Sequence, residues 1–270
     1  MLRAGVHGAG DARGALVTRL TRAAASGRIG AVKVFDSDWG GPPFGLFGAS
    51  HWAALGAVAC GAVGLRVLRA ASPKAKRRVA RWIVGALWTQ EITHHAWHLS
   101  QGTWDRREHL PLHACAAMLW LGGASLLSER RPLTEVAYFL GTAGAGMALL
   151  TPDIPRYGFP HYRYFQFFTS HGLIVLVGLY PVLAEEFRPT WWSLVRAYGL
   201  TAALAALVFA ANGALGSNYM FLNRKPVTTS VLDPLPQWPG YLPHMAGLAL
   251  GAYVLLELPF ARGRRRDGVR

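Results

Sequence analysis

Seven apolar segments of 17 to 24 residues recur along this 270-residue chain, and they constrain its fold more than any other feature. Segments of this length can cross the hydrocarbon core of a bilayer as α-helices. Only 16% of the residues are charged, against about 25% in an ordinary soluble domain. The sequence therefore predicts an all-α polytopic membrane protein, a bundle of seven transmembrane helices. The segments are 50–71, 79–98, 111–128, 134–150, 163–184, 192–215 and 240–260.

The sequence divides into three parts on this basis. Residues 1–48 contain no long apolar run, and we expect a basic leader that is disordered or lies at the membrane interface. The seven-helix membrane domain covers residues 49–262, and residues 263–270 form a basic tail. The chain has only two cysteines, Cys60 and Cys115, which excludes a disulfide framework.

Lysine and arginine are unevenly distributed over the connections between the predicted helices. Sixteen fall in or beside the 1–2, 3–4 and 5–6 connections and the tail, and six fall in or beside the other three connections. The positive-inside rule then predicts a cytoplasmic C-terminus and an outside N-terminus, in a bacterial cytoplasmic membrane. Six basic residues in the leader count against this orientation. Because the basic residues mark helix ends, the net charge of +14 indicates topology, and we expect no nucleic-acid partner.

Histidines concentrate at one end of the predicted bundle. Nine of the ten lie at outer helix ends or in outer loops, where several acids and amides join them. Scattered structural histidines would not be expected to segregate in this way, so we predict an outward-facing functional site at this end. Its predicted substrate-binding or polar-cavity residues are Glu91, His94, His98, His113, His161, Arg163, Gln166, Asn218, Arg224 and Lys225.

The fifth segment begins with a group of polar residues that faces other helices. On a helix Arg163, Gln166 and Ser170 fall within about 60° of one another. His171 lies about 80° from Arg163 and about 12 Å deeper along the axis. Ionisable groups at this depth are functional candidates.

Cys115 is the predicted nucleophile. Pro111 is well suited to the first position of a helix, which would leave Cys115 just beyond the first turn, where the helix dipole favours a thiolate. His113 lies about 200° around the helix from Cys115 and is poorly placed as its base. His171, at a similar depth on another helix, is the better candidate.

The spacing of His94 and His98 on the second helix is also one that binds metal. An alternative hypothesis is therefore a zinc-dependent lipid hydrolase that uses these two histidines, a third such as His244 or His171, and Glu91 as the base. No second histidine-rich box accompanies them, so a hydrogen-bonded lining without a cofactor is the main expectation. A third hypothesis is a non-enzymatic lipid-binding or signalling protein whose polar cavity holds a ligand.

Several short motifs resemble a known family over helices two to seven. They are residues 110–115, 150–153, 159–161, 165–172 and 216–220, with Asn223, Lys225 and Pro226. They resemble the YwaF-like family of bacterial membrane proteins and their animal relative, transmembrane protein 164. The resemblance implies a seven-helix fold and, for the animal member, phospholipid acyl transfer through a cysteine thioester with a histidine partner. Those roles fall on Cys115 and His171.

The sequence thus leads to the hypothesis of a phospholipid acyltransferase. Cys115 would take an acyl chain from a membrane phospholipid, with His171 as general base, and a lysophospholipid would accept the chain. An outward-facing site meets no acyl-CoA, which favours a phospholipid donor. Hydrolysis, with water as acceptor, uses the same residues. The amides at the start of the third helix, Asn218 and Arg163 are candidate stabilisers of the oxyanion.

Overall fold

The computed structural model describes residues 34–128, 130–226, 230 and 232–267, with side chains up to residue 261. These ranges contain seven helices and no β-strand, which confirms the predicted all-α class. Every predicted apolar segment overlaps one of the helices. They are α1 Ala49–Leu68, α2 Pro73–Ser100, α3 Ala114–Ser128, α4 Arg131–Leu150, α5 Tyr162–Ala184, α6 Trp191–Leu215 and α7 Tyr241–Asp267.

Helix boundaries differ from the sequence prediction where local hydrogen bonding outweighs hydropathy. Helix α2 begins six residues early because the Ser72 hydroxyl accepts a hydrogen bond from the Ala75 amide at 3.3 Å and Pro73 fills the first position. Helix α3 begins at Ala114, so the prediction that Pro111 starts it was wrong. Pro111 instead lies in a turn in which the Leu112 amide donates to the Leu110 carbonyl at 2.7 Å.

Five of the described helices are long and apolar enough to cross a membrane: α1, α4, α5, α6 and the Tyr241–Ala261 part of α7. Helix α3 is apolar but has only 15 residues. Helix α2 has 28 residues, and its first turns carry Lys and Arg side chains that lower its hydropathy. The five spans establish a membrane-type helical bundle.

Helix α5 occupies the centre of the bundle. It packs against α1, α2, α3 and α4, whereas α6 and α7 pack mainly against α4 and each other. Of its most apolar stretch 61% is buried in the protein, against 11% for α1 and α7. The polar side chains of Gln166 and Ser170 on α5 are therefore buried against other helices, and those of Arg163 and His171 are partly buried.

Helix α5 approaches α4 closely where α4 widens into a π-helix at Ala137–Gly141. A Cβ atom at Gly178 would lie 2.6 Å from the Ala137 carbonyl oxygen and closer still to the Thr142 hydroxyl. A Cβ atom at Gly141 would meet Ile174 Cγ2 at 3.4 Å. The widened turn and the two glycines together allow the backbones to touch.

The two ends of the bundle differ in chemistry. We call the end with the 98–114, 150–162 and 215–241 connections the histidine end, and the opposite end the basic end. At the basic end, the buried Glu135 carboxylate accepts hydrogen bonds from Arg196 Nη2 at 2.6 Å and from Arg131 Nε at 3.0 Å. This bidentate ion pair joins α4 to α6.

Residues 34–48 cover part of the histidine end. Four consecutive carbonyl oxygens, those of residues 34–37, accept hydrogen bonds from α2, from the start of α5 and from the 150–162 connection. The donors are Tyr162 N at 2.8 Å, Trp97 Nε1 at 2.7 Å, His161 Nε2 at 3.0 Å and Tyr157 Oη at 3.2 Å. We call residues 34–48 the strap. The rest of the predicted leader, residues 1–33, lies outside the described residues.

The close α4–α5 contact predicts that one added methyl group at Gly178 destabilises the fold. We expect Gly178→Ala to lower the free energy of unfolding by about 1–3 kcal/mol, because the new Cβ atom meets backbone that cannot rotate away. Gly199→Ala is the matched control, since the new Cβ in α6 would meet no described residue within 4 Å apart from its chain neighbours and the backbone of its own helix. Thermal unfolding of both variants in detergent checks this, and equal losses would contradict the close contact.

Candidate functional site

Three histidines meet at the histidine end, at the end of α2 and in the connection that follows. One ring nitrogen from each of His94, His98 and His109 lies within 4.8 Å of the other two. The ring centroids are 4.7 Å apart for His94 and His98 and 4.0 Å apart for His98 and His109. The structure thus brings together two of the predicted site residues and adds His109, which the sequence placed at this end without assigning it to the site.

Arg163, in the first turn of α5, binds to this histidine cluster. Its Nη1 donates to His94 Nδ1 at 2.9 Å and also to the Gln166 side-chain oxygen. Gln166 in turn donates to the Gln90 side chain on α2 at 3.0 Å. The guanidinium lies 6.0 Å from the Trp97 ring. The predicted grouping of Arg163 with Gln166 is therefore realised as a hydrogen-bond chain between α5 and α2.

The hydrogen bonds determine which ring nitrogens carry protons. A guanidinium can only donate, so His94 Nδ1 is unprotonated and Nε2 of the neutral ring bears the proton. His109 Nδ1 lies 3.0 Å from both the amide nitrogen and the carbonyl oxygen of Asp105, so this nitrogen binds the Asp105 backbone in either tautomer. Nε2 of His109 makes no hydrogen bond to a described residue. Burial lowers the pKa of His109, which favours the neutral ring.

Glu91 is buried beside the cluster but pairs with a different histidine. Its carboxylate lies 3.3 Å from His95 Nε2, one helical turn further along α2. The other nitrogen of His95 accepts a hydrogen bond from Trp104 Nε1 at 3.1 Å. His95, which the sequence analysis did not include in the site, thus pairs with the buried Glu91.

His161 and His113 both have structural roles, because their ring nitrogens bind the backbone of neighbouring segments. His161 caps α5, accepting from the Arg163 amide at 3.0 Å, while its other nitrogen donates to the strap. His113 accepts from the Met220 amide at 3.2 Å and packs against the Tyr219 ring. Burial lowers the pKa of both rings, and Asp153 partly opposes that effect at His113.

The three predicted residues of the 215–241 connection lie apart from the histidine cluster. Asn218 donates to the Arg224 carbonyl at 2.9 Å and accepts from the amides of Asn223 and Arg224, so its side chain holds the loop. Lys225 Nζ donates to the carbonyls of Asp233 and Leu235 at 3.0 and 2.6 Å. The Arg224 side chain is exposed.

Cys115 and His171 lie at the same level of the bundle, on adjacent helices. A Cβ atom at Gly141 of α4 would contact both Met118 of α3 and Ile174 of α5, at 3.9 and 3.4 Å. Four residues further along α3, Gly122 approaches Val177 of α5. Residue numbers therefore increase in the same direction along both helices, so α3 and α5 are parallel. Cys115 and His171 each precede the Gly141 contact by three residues, about 4.5 Å toward the histidine end.

No hydrogen bond joins Cys115 and His171 among the described residues. The Cys115 thiol is partly buried against the main hydrophobic core. His171 Nδ1 donates to the Phe167 carbonyl at 2.9 Å, because a carbonyl can only accept. Nε2 of the neutral His171 ring is therefore the unprotonated nitrogen, the form that a general base requires.

Helix α3 begins at Ala114, so Cys115 is its second residue. The first hydrogen bond of the helix runs from the Ala117 amide to the His113 carbonyl at 2.8 Å. The amides of Cys115 and Ala116 have no acceptor among the described residues, as expected in the first turn of a helix. Of the predicted oxyanion stabilisers, these amides remain available, whereas Asn218 is committed to its loop.

His244 does not join the histidine cluster. Its Nδ1 lies 2.9 Å from the Gly240 carbonyl at the start of α7, and the side chain is exposed. Among the described residues, the group with metal-ligand spacing contains His109 in place of His244 or His171. The sequence could not reveal this, because a loop position cannot be placed by helical periodicity.

The fold and the site define an integral membrane protein with a helical bundle and a histidine-rich end. The chain belongs to the TMEM164 family, whose characteristic sequence matches residues 46–256. The match covers the helical bundle except the end of α7 after residue 256, and it leaves out residues 34–45 of the strap. Neither curated proteins nor solved structures gave a further match. The bacterial YwaF-like grouping remains a prediction.

The buried His161 ring predicts a pH dependence of stability. Its pKa in the folded state lies below 6.5, so the unfolded state binds the proton first, and stability is lost as the pH falls below about 6.5. His161→Asn retains a cap acceptor and does not titrate. We expect a lower unfolding temperature at neutral pH but a shallower decline between about pH 7.5 and 5 than in the wild type. Equal slopes in thermal unfolding would contradict the assignment.

Proposed function

We propose that the protein transfers acyl chains between membrane phospholipids, with Cys115 as nucleophile and His171 as general base. The observation that carries the proposal is the position of His171, whose unprotonated Nε2 belongs to a ring at the level of Cys115 on the adjacent parallel helix. Membership of the TMEM164 family agrees with it, since the resemblance implies this chemistry for the animal relative.

The first half-reaction forms a thioester. His171 Nε2 takes the thiol proton while the Cys115 sulfur attacks the acyl carbonyl of the phospholipid. The free amides of Cys115 and Ala116 would donate to the oxyanion of the tetrahedral intermediate. When the intermediate collapses, the ester C–O bond breaks, His171 returns its proton to the glycerol oxygen, and a lysophospholipid leaves.

The second half-reaction reverses these steps with a different acceptor. His171 removes the proton from the hydroxyl of an incoming lysophospholipid, whose oxygen attacks the thioester. The carbon–sulfur bond breaks, and the thiolate recovers the proton from His171. Water in place of the lysophospholipid would give hydrolysis by the same residues. Partial burial of Cys115 among apolar side chains favours transfer, because it limits the access of water.

The zinc hydrolase hypothesis is less well supported by the geometry. A metal ion at His94 would need an unprotonated nitrogen, yet Arg163 occupies the one that this ring has. The guanidinium would also repel a divalent cation. A non-enzymatic lipid-binding protein remains the second candidate, because the polar end could hold a ligand without turnover.

We also propose that all seven helices cross the membrane, with the histidine end outside and the C-terminus in the cytoplasm. The basic residues next to α2 and in the tail support this orientation. Helix α2, although not apolar enough on its own, packs against both α3 and the central α5. A helix in that position is shielded from lipid on two sides.

The acyl-transfer proposal predicts a covalent intermediate. After incubation with mixed phospholipids, intact-protein mass spectrometry should show a fatty-acyl adduct on the wild type that neutral hydroxylamine removes. Cys115→Ser should lack it, and His171→Ala should form it about 10²–10⁴ times more slowly. Cys60→Ser, which removes the exposed cysteine of α1, is the matched control and should behave as wild type. A hydroxylamine-labile adduct on Cys115→Ser, or none on the wild type, would reject the thioester.

The topology predicts opposite labelling at the two ends of α2. We place a single cysteine at Lys74→Cys or at Arg107→Cys, in a background of Cys60→Ser and Cys115→Ser. A membrane-impermeant maleimide should label Arg107→Cys in intact cells and Lys74→Cys only after disruption. The reverse pattern would invert the orientation, and labelling of both from one side would show that α2 does not cross.

A further inference from the structure

Arg163 carries a partly buried positive charge without an anionic partner among the described residues. Its guanidinium contacts the neutral groups His94, Gln166 and Trp97. Glu91 and Asp153 act on it only through longer-range electrostatics, and Glu91 itself pairs with His95. Removal of a charge from water is costly unless an opposite charge compensates it. This cation therefore calls for an anionic ligand.

The groups around the guanidinium are hydrogen-bond donors. Nε and Nη2 of Arg163 make no hydrogen bond to a described residue. The hydrogen bond from Arg163 leaves His94 with one free Nε2–H, and Nε2 of His109 is likewise not hydrogen-bonded to a described residue. Both rings belong to a cluster in which one ring nitrogen of each histidine lies within 4.8 Å of the others. The site therefore combines a fixed positive charge with an N–H group from α2 and an unoccupied ring nitrogen from the following loop.

This combination distinguishes an anion site from a metal site. Nitrogen atoms that carry protons cannot ligate a cation, whereas they donate readily to oxyanions. Arginine offers several donors in a planar fork, which matches the oxygen atoms of a phosphate group. With the His94 ring neutral, the guanidinium gives the site a positive charge that one phosphate group would neutralise.

We propose that Arg163, His94 and His109 bind the phosphate group of a ligand. The location fits a lipid head group, an assignment that rests on the proposed acyl-transfer function. Arg163 precedes His171 by eight residues on α5, about 12 Å toward the histidine end. A glycerophospholipid carries its phosphate nearer the membrane surface than its acyl esters. A phospholipid with its phosphate at Arg163 and its acyl ester at Cys115 would therefore have its phosphate nearer the membrane surface, as it has in a bilayer.

The test measures binding to the purified full chain in a phosphate-free detergent by isothermal titration calorimetry. The probes are a short-chain phosphatidylglycerol, inorganic phosphate and a short-chain diacylglycerol that lacks the phosphate. We expect saturable binding of the phospholipid and weaker binding of the diacylglycerol. Arg163→Gln should reduce phospholipid affinity about 10- to 100-fold, the loss of a charge-assisted contact. Arg107→Gln, which removes an exposed arginine of the same region, is the matched control.

A second variant keeps the proposal testable if Arg163→Gln does not fold. His109→Phe preserves an aromatic ring in the connection after α2 but removes the ring nitrogens, and it should also weaken phospholipid binding. Unchanged affinity in folded Arg163→Gln would overturn the proposal. Stoichiometric zinc binding that requires His94, His98 and His109 would overturn it as well.

Two further results separate this site from the acyl chemistry. Cys115→Ser should bind the phospholipid as the wild type does, so intact binding without any acyl adduct would reject acyl transfer and leave the phosphate site standing. Tighter binding of the phospholipid than of inorganic phosphate supports the head group as the source. Binding of inorganic phosphate that the phospholipid does not displace would confirm a phosphate site and overturn the head-group assignment.

Discussion

The close contact between α4 and α5 is the constraint on which the rest of the bundle depends. Gly178 and Gly141 let the two backbones touch, and the π-helical turn of α4 provides the space. That contact fixes the height of α5 within the bundle. Met118 of α3 packs at the same junction, so α3 is held at a corresponding height. The relative position of Cys115 and His171 is thus a consequence of backbone packing one turn away from them.

The histidine end combines rigid and reactive groups. Some of its histidines, such as His161 and His113, use their ring nitrogens to hold helix starts and loops in place. Others, such as His94 and His109, keep one ring nitrogen without a hydrogen bond to a described residue. The chemistry available at this end is therefore decided by hydrogen bonds to neighbouring donors, and the number of histidines does not determine it. Arg163 matters twice, as a charge and as the donor that sets the His94 tautomer.

Much of the fold could be read from the sequence, because apolar length and helical periodicity report directly on membrane helices. The segregation of histidines, and the grouping of Arg163 with Gln166, followed from the same periodicity. Loop positions did not: His109 joined the cluster through a connection whose path depends on tertiary contacts. The roles of Asn218 and Lys225 were also invisible, because both side chains bind backbone carbonyls of their own loop. The predicted helix starts were wrong where a cap or a proline turn, rather than hydropathy, determined the first residue.

The first four residues of the strap are attached to the bundle by their main chain, whereas Trp39 and Phe44 further along it pack against the bundle through their rings. Four successive peptide carbonyls accept the anchoring hydrogen bonds, and the side chains of residues 34–37 contribute none of these acceptors. Since every amino acid has a carbonyl, many different sequences could occupy residues 34–37 without loss of these bonds. Selection for the anchoring bonds would then act on the donors, Trp97, His161 and Tyr157, and leave those four positions free to diverge.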